Sequence, residues 1–176
     1  MSATYRAPAK IGPIGVLALG LAFTPVLAAD LVKSAPVKIA VFDFELDDAS
    51  PAAALLGRST SSAATMDTVS REARRELARS RRYNVIDASE FAAAQKPLRN
   101  CDGCEAAVAL QLGAEQSLVG VVTRVTQTDY YVRIQIRDAH SGKLLDQEEA
   151  NFAGGEEGWA TGVRMLIKHQ ILAGAD

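Results

Sequence analysis

The sequence predicts a mixed α/β domain: a sheet of about five strands with helices mainly on one face, in the order β-α-β-α-α-β-β-β-α. Three observations carry that prediction. Val37 to Phe44 is a near-continuous apolar, β-branched run, as expected of a strand buried on both faces. Met66, Val69, Ala73 and Leu77 recur at helical spacing. Tyr130 to Arg137 alternates, with Val132, Ile134 and Ile136 on one side and Arg133, Gln135 and Arg137 on the other.

Ahead of the first strand stands an export pattern. Arg6 and Lys10 occupy a short basic start, Ile11 to Leu27 is apolar, and Val26-Leu27-Ala28 supplies small residues before Ala29. The apolar stretch is too short and too interrupted, by Gly12, Pro13 and Pro25, to span a bilayer. Residues 1–29 therefore read as a cleavable signal peptide, and 30–176 as a single domain. No Cys follows the cleavage site, so lipid attachment there is excluded. Removing 29 of 176 residues leaves 147, enough for one core, and losing Arg6 and Lys10 takes the net charge from −2 to −4. That mild negative charge argues against nucleic-acid binding.

Glu45 to Thr65 is rich in Asp, Ser, Ala and Pro without a clear period, and reads as a long loop with a helical turn near Ala52 to Leu56. A helix from Met66 to Arg82 follows, apolar on one stripe, with Arg71, Arg75, Arg79 and Arg82 opposite. Tyr83 to Asp87 is a short strand, and Asp87 with Glu90 resembles a capping box for a helix through Ala94 that Pro97 ends. Cys101 to Cys104 forms a turn into a helix, Glu105 to Leu112, closed by Gly113. Ser117 to Thr126, Tyr130 to Arg137 and Lys143 to Phe152 are strands, the last polar enough to be an edge, with a hairpin at His140-Ser141-Gly142. The final helix turns Trp159, Val163, Leu166, Ile167 and Ile171 inward. Met165 and Leu172 fall off that stripe, which suggests a second apolar face for a partner or a dimer.

The strings Ile39-Ala40-Val41-Phe42-Asp43-Phe44, Arg82-Tyr83-Asn84-Val85-Ile86-Asp87 and Arg137-Asp138-Ala139-His140-Ser141-Gly142-Lys143-Leu144 follow a known layout. It resembles the N-terminal domain family of TolB, shared in outline with curli-secretion and flagellar accessory lipoproteins. Phe42-Asp43-Phe44-Glu45-Leu46 and Leu98-Arg99-Asn100-Cys101-Asp102-Gly103-Cys104 are similar to a closer family, exported proteobacterial proteins known as a domain of unknown function. The resemblance implies a non-catalytic periplasmic accessory protein that docks other envelope proteins. It also implies an association with quinoprotein alcohol dehydrogenase systems. It implies no cofactor.

Three constellations are candidates for chemistry. Cys101 and Cys104, in an oxidising compartment with no other cysteine to pair with, most simply form one disulfide. Thiol–disulfide exchange is the alternative, although Arg99-Asn100 stands where a strand end would be expected. A zinc half-site would need two more ligands, and only His140 and His169 exist. Asp43, Glu45, Asp47 and Asp48 crowd a strand end and are either a ligand or cation site or a solvated loop. Arg71, Arg75, Arg79 and Arg82 place like charges at helical spacing, as a docking face for an acidic partner or as a solvated face. No nucleophile-elbow sequence accompanies the Ser, His and Asp residues, so hydrolase chemistry has no support.

Overall fold

Val37–Val41 (β1) is the inner strand that the apolar run foretold. Its side chains alternate between two cores, with Ile39 and Val41 entering one and Ala40, followed by Phe42, entering the other. The computed structural model describes residues 35–56, 61–92 and 97–173. The expected export segment, residues 1–29, lies outside them, as do Ala93 and Ala94 of the expected second helix.

β1 runs parallel to Tyr83–Asp87 (β3) on one side and to Gln116–Arg124 (β4) on the other. β4, Asp129–Asp138 (β5) and Leu144–Ala153 (β6) form an antiparallel meander. The spatial order is β3-β1-β4-β5-β6, which leaves the polar β6 at an edge as its composition predicts. Gln135 and Gln147 are register partners and are hydrogen-bonded across the polar face.

The long loop expected from Glu45 to Thr65 is corrected by the structure. Glu45–Asp48 (β2) is a sixth strand, parallel to the second half of β4. Pro51–Leu56 (α1) is the anticipated helical turn, and the next helix begins at Ser61 rather than Met66. β2 carries no apolar signature because three of its four residues are acidic, and distant arginines hold two of them.

The two longest helical segments share one face of the sheet. Ser61–Arg79 (α2) and Trp159–Leu166 (α5), the latter continued by one π-helical turn at Ile167–Ile171, bury both predicted stripes against Leu118, Val122, Val132, Ile134 and Ile136. Each fully buried large aliphatic side chain there contributes about 1.5–3 kcal/mol. Leu172 packs against this core, so it does not join Met165 in a second apolar face; only Met165 stays out, 47% exposed. α2 stops three residues short of the expected Arg82, because Arg81 takes φ +59 and breaks the helix. The ring of Phe44, which leads into β2, lies directly over Gly120 of β4.

Among the described residues, the other face is covered only in part. A 3-10 turn at Leu98–Asn100 and the helix Cys104–Gln111 (α4) lay Leu98 and Ala109 on Ala40, Phe42 and Val119. Ser89–Ala92 (α3) follows β3 at that sheet's edge. No helix among the described residues is long and apolar enough to cross a membrane.

Candidate functional site

The acidic run after β1 divides among separate arginines. Asp43 receives Arg74 Nη2 at 2.5 Å, and the same guanidinium reaches Asp87 Oδ1 at 3.1 Å and the Val41 carbonyl at 3.4 Å. Arg74 of α2 thus caps the C-terminal ends of β1 and β3 together. Burial pushes the Asp87 carboxyl up, but hydrogen bonds from Ser89 and the Arg74 charge outweigh it and hold the group below its ordinary value. Glu45 accepts from Leu98 N at 2.5 Å and from Arg99 Nη1 at 2.8 Å, which anchors the segment before the cysteines to β2.

Asp48, only 3% exposed at its side chain, pairs with Arg124 Nη1 at 3.0 Å and accepts from the Ser50 hydroxyl at 2.6 Å. Arg124 also pairs with Glu156, donates to Ser62, and lies 5.0 Å over the Trp159 ring. One guanidinium therefore ties β2, β4, α2 and the turn before α5. Asp47 shares the Glu45 side of β2 by the two-residue period. Among the described residues, no three of these four carboxylates bring oxygen atoms together as a cation site would require.

The arginine stripe is split. Arg71, Arg75 and Arg79 are exposed along α2, where Arg75 pairs with Glu72 at 2.8 Å and Arg79 with Glu76 at 3.7 Å. Arg82 lies beyond the helix, donates to the Ile171 carbonyl at 3.0 Å and sits 5.3 Å over the Tyr83 ring. It is a tie to the last helix and no part of the helical face.

Cys101 and Cys104 are joined as a disulfide, with Cα atoms 5.6 Å apart. Asp102 and Gly103 between them take φ +38 and +100, which Gly103 adopts without side-chain strain. Glu105, in the first turn of α4 and 3% exposed, lies 3.9 Å from Cys101 Sγ. Arg137 of β5 holds this turn down, pairing with Asp102 at 2.8 Å and donating to the Gly142 carbonyl at 3.2 Å. Its Nε is 3.2 Å from Glu105 but misaligned for a hydrogen bond, so that contact is electrostatic.

Between this turn and the part of the sheet that no described residue covers lies a polar cleft of about 230 Å³. Arg99, Asn100, Gly103, Arg133, Gln135 and Arg137 line it, with Val119 at its floor. Arg99 and Arg137 are already neutralised. Among the described residues, no carboxylate stands at ion-pair distance from Arg133. A half-buried guanidinium flanked by amides suits the bidentate capture of a carboxylate. Arg133, Gln135 and Arg137 of the cleft were legible as the polar side of β5; nothing in their spacing announced that the cysteine turn would wall them in.

A model of the family described as "Protein of unknown function (DUF2380)" matches residues 37–171. The chain belongs to that family, DUF3280. The match runs from the first residue of β1 to the last π-helical residue, so the DUF3280 domain includes every feature just described. No curated protein matches the sequence significantly. Among solved structures, the PelC dodecamer from Paraburkholderia phytofirmans is 15% identical over 76% of this chain and 84% of that one, with a TM-score of 0.50. Lipoprotein GNA1162 from Neisseria meningitidis is 14% identical over 79% and 97%, also at 0.50. TolB from Acinetobacter baumannii is 18% identical over 80% of this chain and 29% of that one, at 0.49. At these identities the likeness to PelC and GNA1162 is one of fold alone, and the structure is the mixed α/β class that the sequence predicts.

Proposed function

We propose that this DUF3280 protein is an exported, non-catalytic accessory protein of the envelope that docks a partner through the arginine-lined cleft. The observation that carries this reading is Arg133, which faces Glu149 of β6 in register but, among the described residues, has no carboxylate at ion-pair distance, in a cleft whose other two arginines are paired. The partner feature that completes it is a carboxylate, from an acidic side chain or a chain terminus, brought by another periplasmic protein. GNA1162 is a lipoprotein and PelC a dodecamer, so envelope location and assembly with other chains are the settings to test first. Quinoprotein dehydrogenases are the first partners to try, on the strength of the family resemblance.

The test is a photo-crosslinking residue at position 135, irradiated in cells and identified by mass spectrometry. The expected result is a crosslink to one envelope protein at or beside an acidic segment, lost in Arg133→Glu. Equal crosslinking in Arg133→Glu, or a pattern no different from that of a probe at position 71 on α2, would sink the reading. Export is checked separately by intact mass of periplasmic protein, expected to begin at Ala29 or Asp30.

A further inference from the structure

β6 is the outermost strand, and among the described residues nothing pairs with its far side. It is ten residues long, about 33 Å of backbone at the usual rise, and contains no proline. Sheets ordinarily blunt such an edge by shortening, bulging or charging it. Here the one register shift falls near the start of β6, opposite Ile136 and Arg137, and the ladder from Asp146 to Ala153 is regular.

The charges on this edge have one sign. Asp146, Glu148 and Glu149 are acidic, and β6 has no basic residue. None of the three is in an ion pair among the described residues. Two copies of β6 side by side would set carboxylates against carboxylates, which destabilises cross-strand pairing. The edge is guarded against itself and remains open to a strand of opposite charge.

Side-chain alternation then gives the edge a polarity along its length. Asp146, Glu148, Ala150 and Phe152 are half-buried on the helix side, and Gln147, Glu149 and Asn151 are exposed on the other. Two hollows flank the half-buried row. One, of about 370 Å³, lies against Asp146 and Glu148, with Arg82 and Tyr83 on its far wall. The other, of about 240 Å³, is lined by Ala150, Phe152, Met165 and Leu166. Gln170 lines both, so the two hollows adjoin along the strand as a trough, the first acidic and the second apolar apart from His169 and Gln170. Arg82 is committed to the Ile171 carbonyl and the Tyr83 ring, which leaves two carboxylates at the acidic end against one engaged guanidinium.

We propose that β6 is a docking edge for an extended segment of another protein, added to the sheet as a further strand. The segment carries a basic side chain over Asp146 and Glu148 and an apolar one over Ala150 and Met165. Main-chain hydrogen bonds along the edge supply attachment, and the trough reads alternate side chains. The trough lies on the opposite face of the sheet from the Arg133 cleft, so the proposal stands whether or not that cleft docks a carboxylate.

The purified protein is titrated with two fluorescein-labelled heptapeptides, Lys-Thr-Lys-Thr-Val-Thr-Val and its reverse, and followed by anisotropy. One orientation is expected to bind and, when isotope-labelled at its carbonyls, to take on the infrared signature of a strand. Glu148→Lys and Met165→Glu, both at accessible positions, should each weaken it at least about tenfold, while Arg71→Glu, exposed on α2, leaves it unchanged. Unaltered circular dichroism in both variants shows that folding is intact. The proposal is overturned if neither peptide saturates at millimolar concentration, or if both variants bind as the parent does. It is overturned equally if sedimentation gives a dimer that Met165→Glu dissociates, because a second copy then occupies the edge.

Discussion

Replacing Gly120 by alanine adds one methyl group at the most crowded point of the sheet. The new carbon would clash with the Cδ1, Cε1 and Cζ atoms of the Phe44 ring, well inside the contact limit of about 3.5 Å for two carbons. The ring has little room to retreat. It is 3% exposed, and the backbone N–H of Phe44 donates to Ser70 Oγ of α2 at 2.9 Å, which pins its root. Overpacking of this kind costs about 1–3 kcal/mol. Because the opposing group is an aromatic ring rather than a flexible chain end, the upper value, about 3 kcal/mol, applies. For a domain of this size that lowers Tm by about 6–12 °C. Thermal and urea unfolding of Gly120→Ala measure the loss, and Phe44→Leu in the same chain should recover part of it by vacating the space. A Tm within about 2 °C of the parent, or a double variant no better than the sum of the singles, refutes the stacking of Phe44 on Gly120.

Three further predictions concern the charged contacts and the cysteines. Arg124→Ala leaves the buried Asp48 carboxylate without its partner, and unfolding free energy should fall by about 3–5 kcal/mol; Arg124→Ala with Asp48→Asn should be milder than Arg124→Ala alone. Asp87, held below the ordinary 3.8, contributes stability that is present above its unfolded pKa and lost as pH falls through the folded value, so Asp87→Asn should flatten the acid limb of stability from about pH 4 downward. A parallel acid limb in the variant would deny Asp87 that role. Cys104→Ser opens a ring of only four residues and should cost under about 2 kcal/mol. If it instead abolishes partner capture in a folded protein, and reductant does the same to the parent, thiol exchange replaces docking as the work of this turn.

What the sequence discloses here is whatever repeats at a short period. β1, the buried stripes of α2 and α5, and the alternation of β5 all declare themselves because neighbouring residues share one core. β2 does not, since Glu45 and Asp48 are satisfied by Arg99 and Arg124, 54 and 76 residues away, and no local window includes both partners. The same distance hid Arg74, whose only sign was its place next to Ala73 on the flank of the buried stripe. The cleft stayed hidden for a related reason: its walls come from the cysteine turn and β5, joined by Arg137 and Asp102 across 35 residues.

The parallel placement of β1 beside β4 has a consequence for how the chain acquires its shape. Hairpins of the β4–β5–β6 meander close over a few residues, whereas β1 meets β4 only when Ile39 reaches Gln116, a separation of 77 residues. Low-separation contacts form sooner because less chain entropy is lost in closing them. During synthesis from the N-terminus, β1 therefore emerges first and waits longest, its apolar faces without a partner until β3 and then β4 have followed. Hydrogen exchange pulsed during refolding should protect the amides of Val132 and Ile134 before those of Ile39 and Ala40, and fragments ending before Gln116 should aggregate instead of folding.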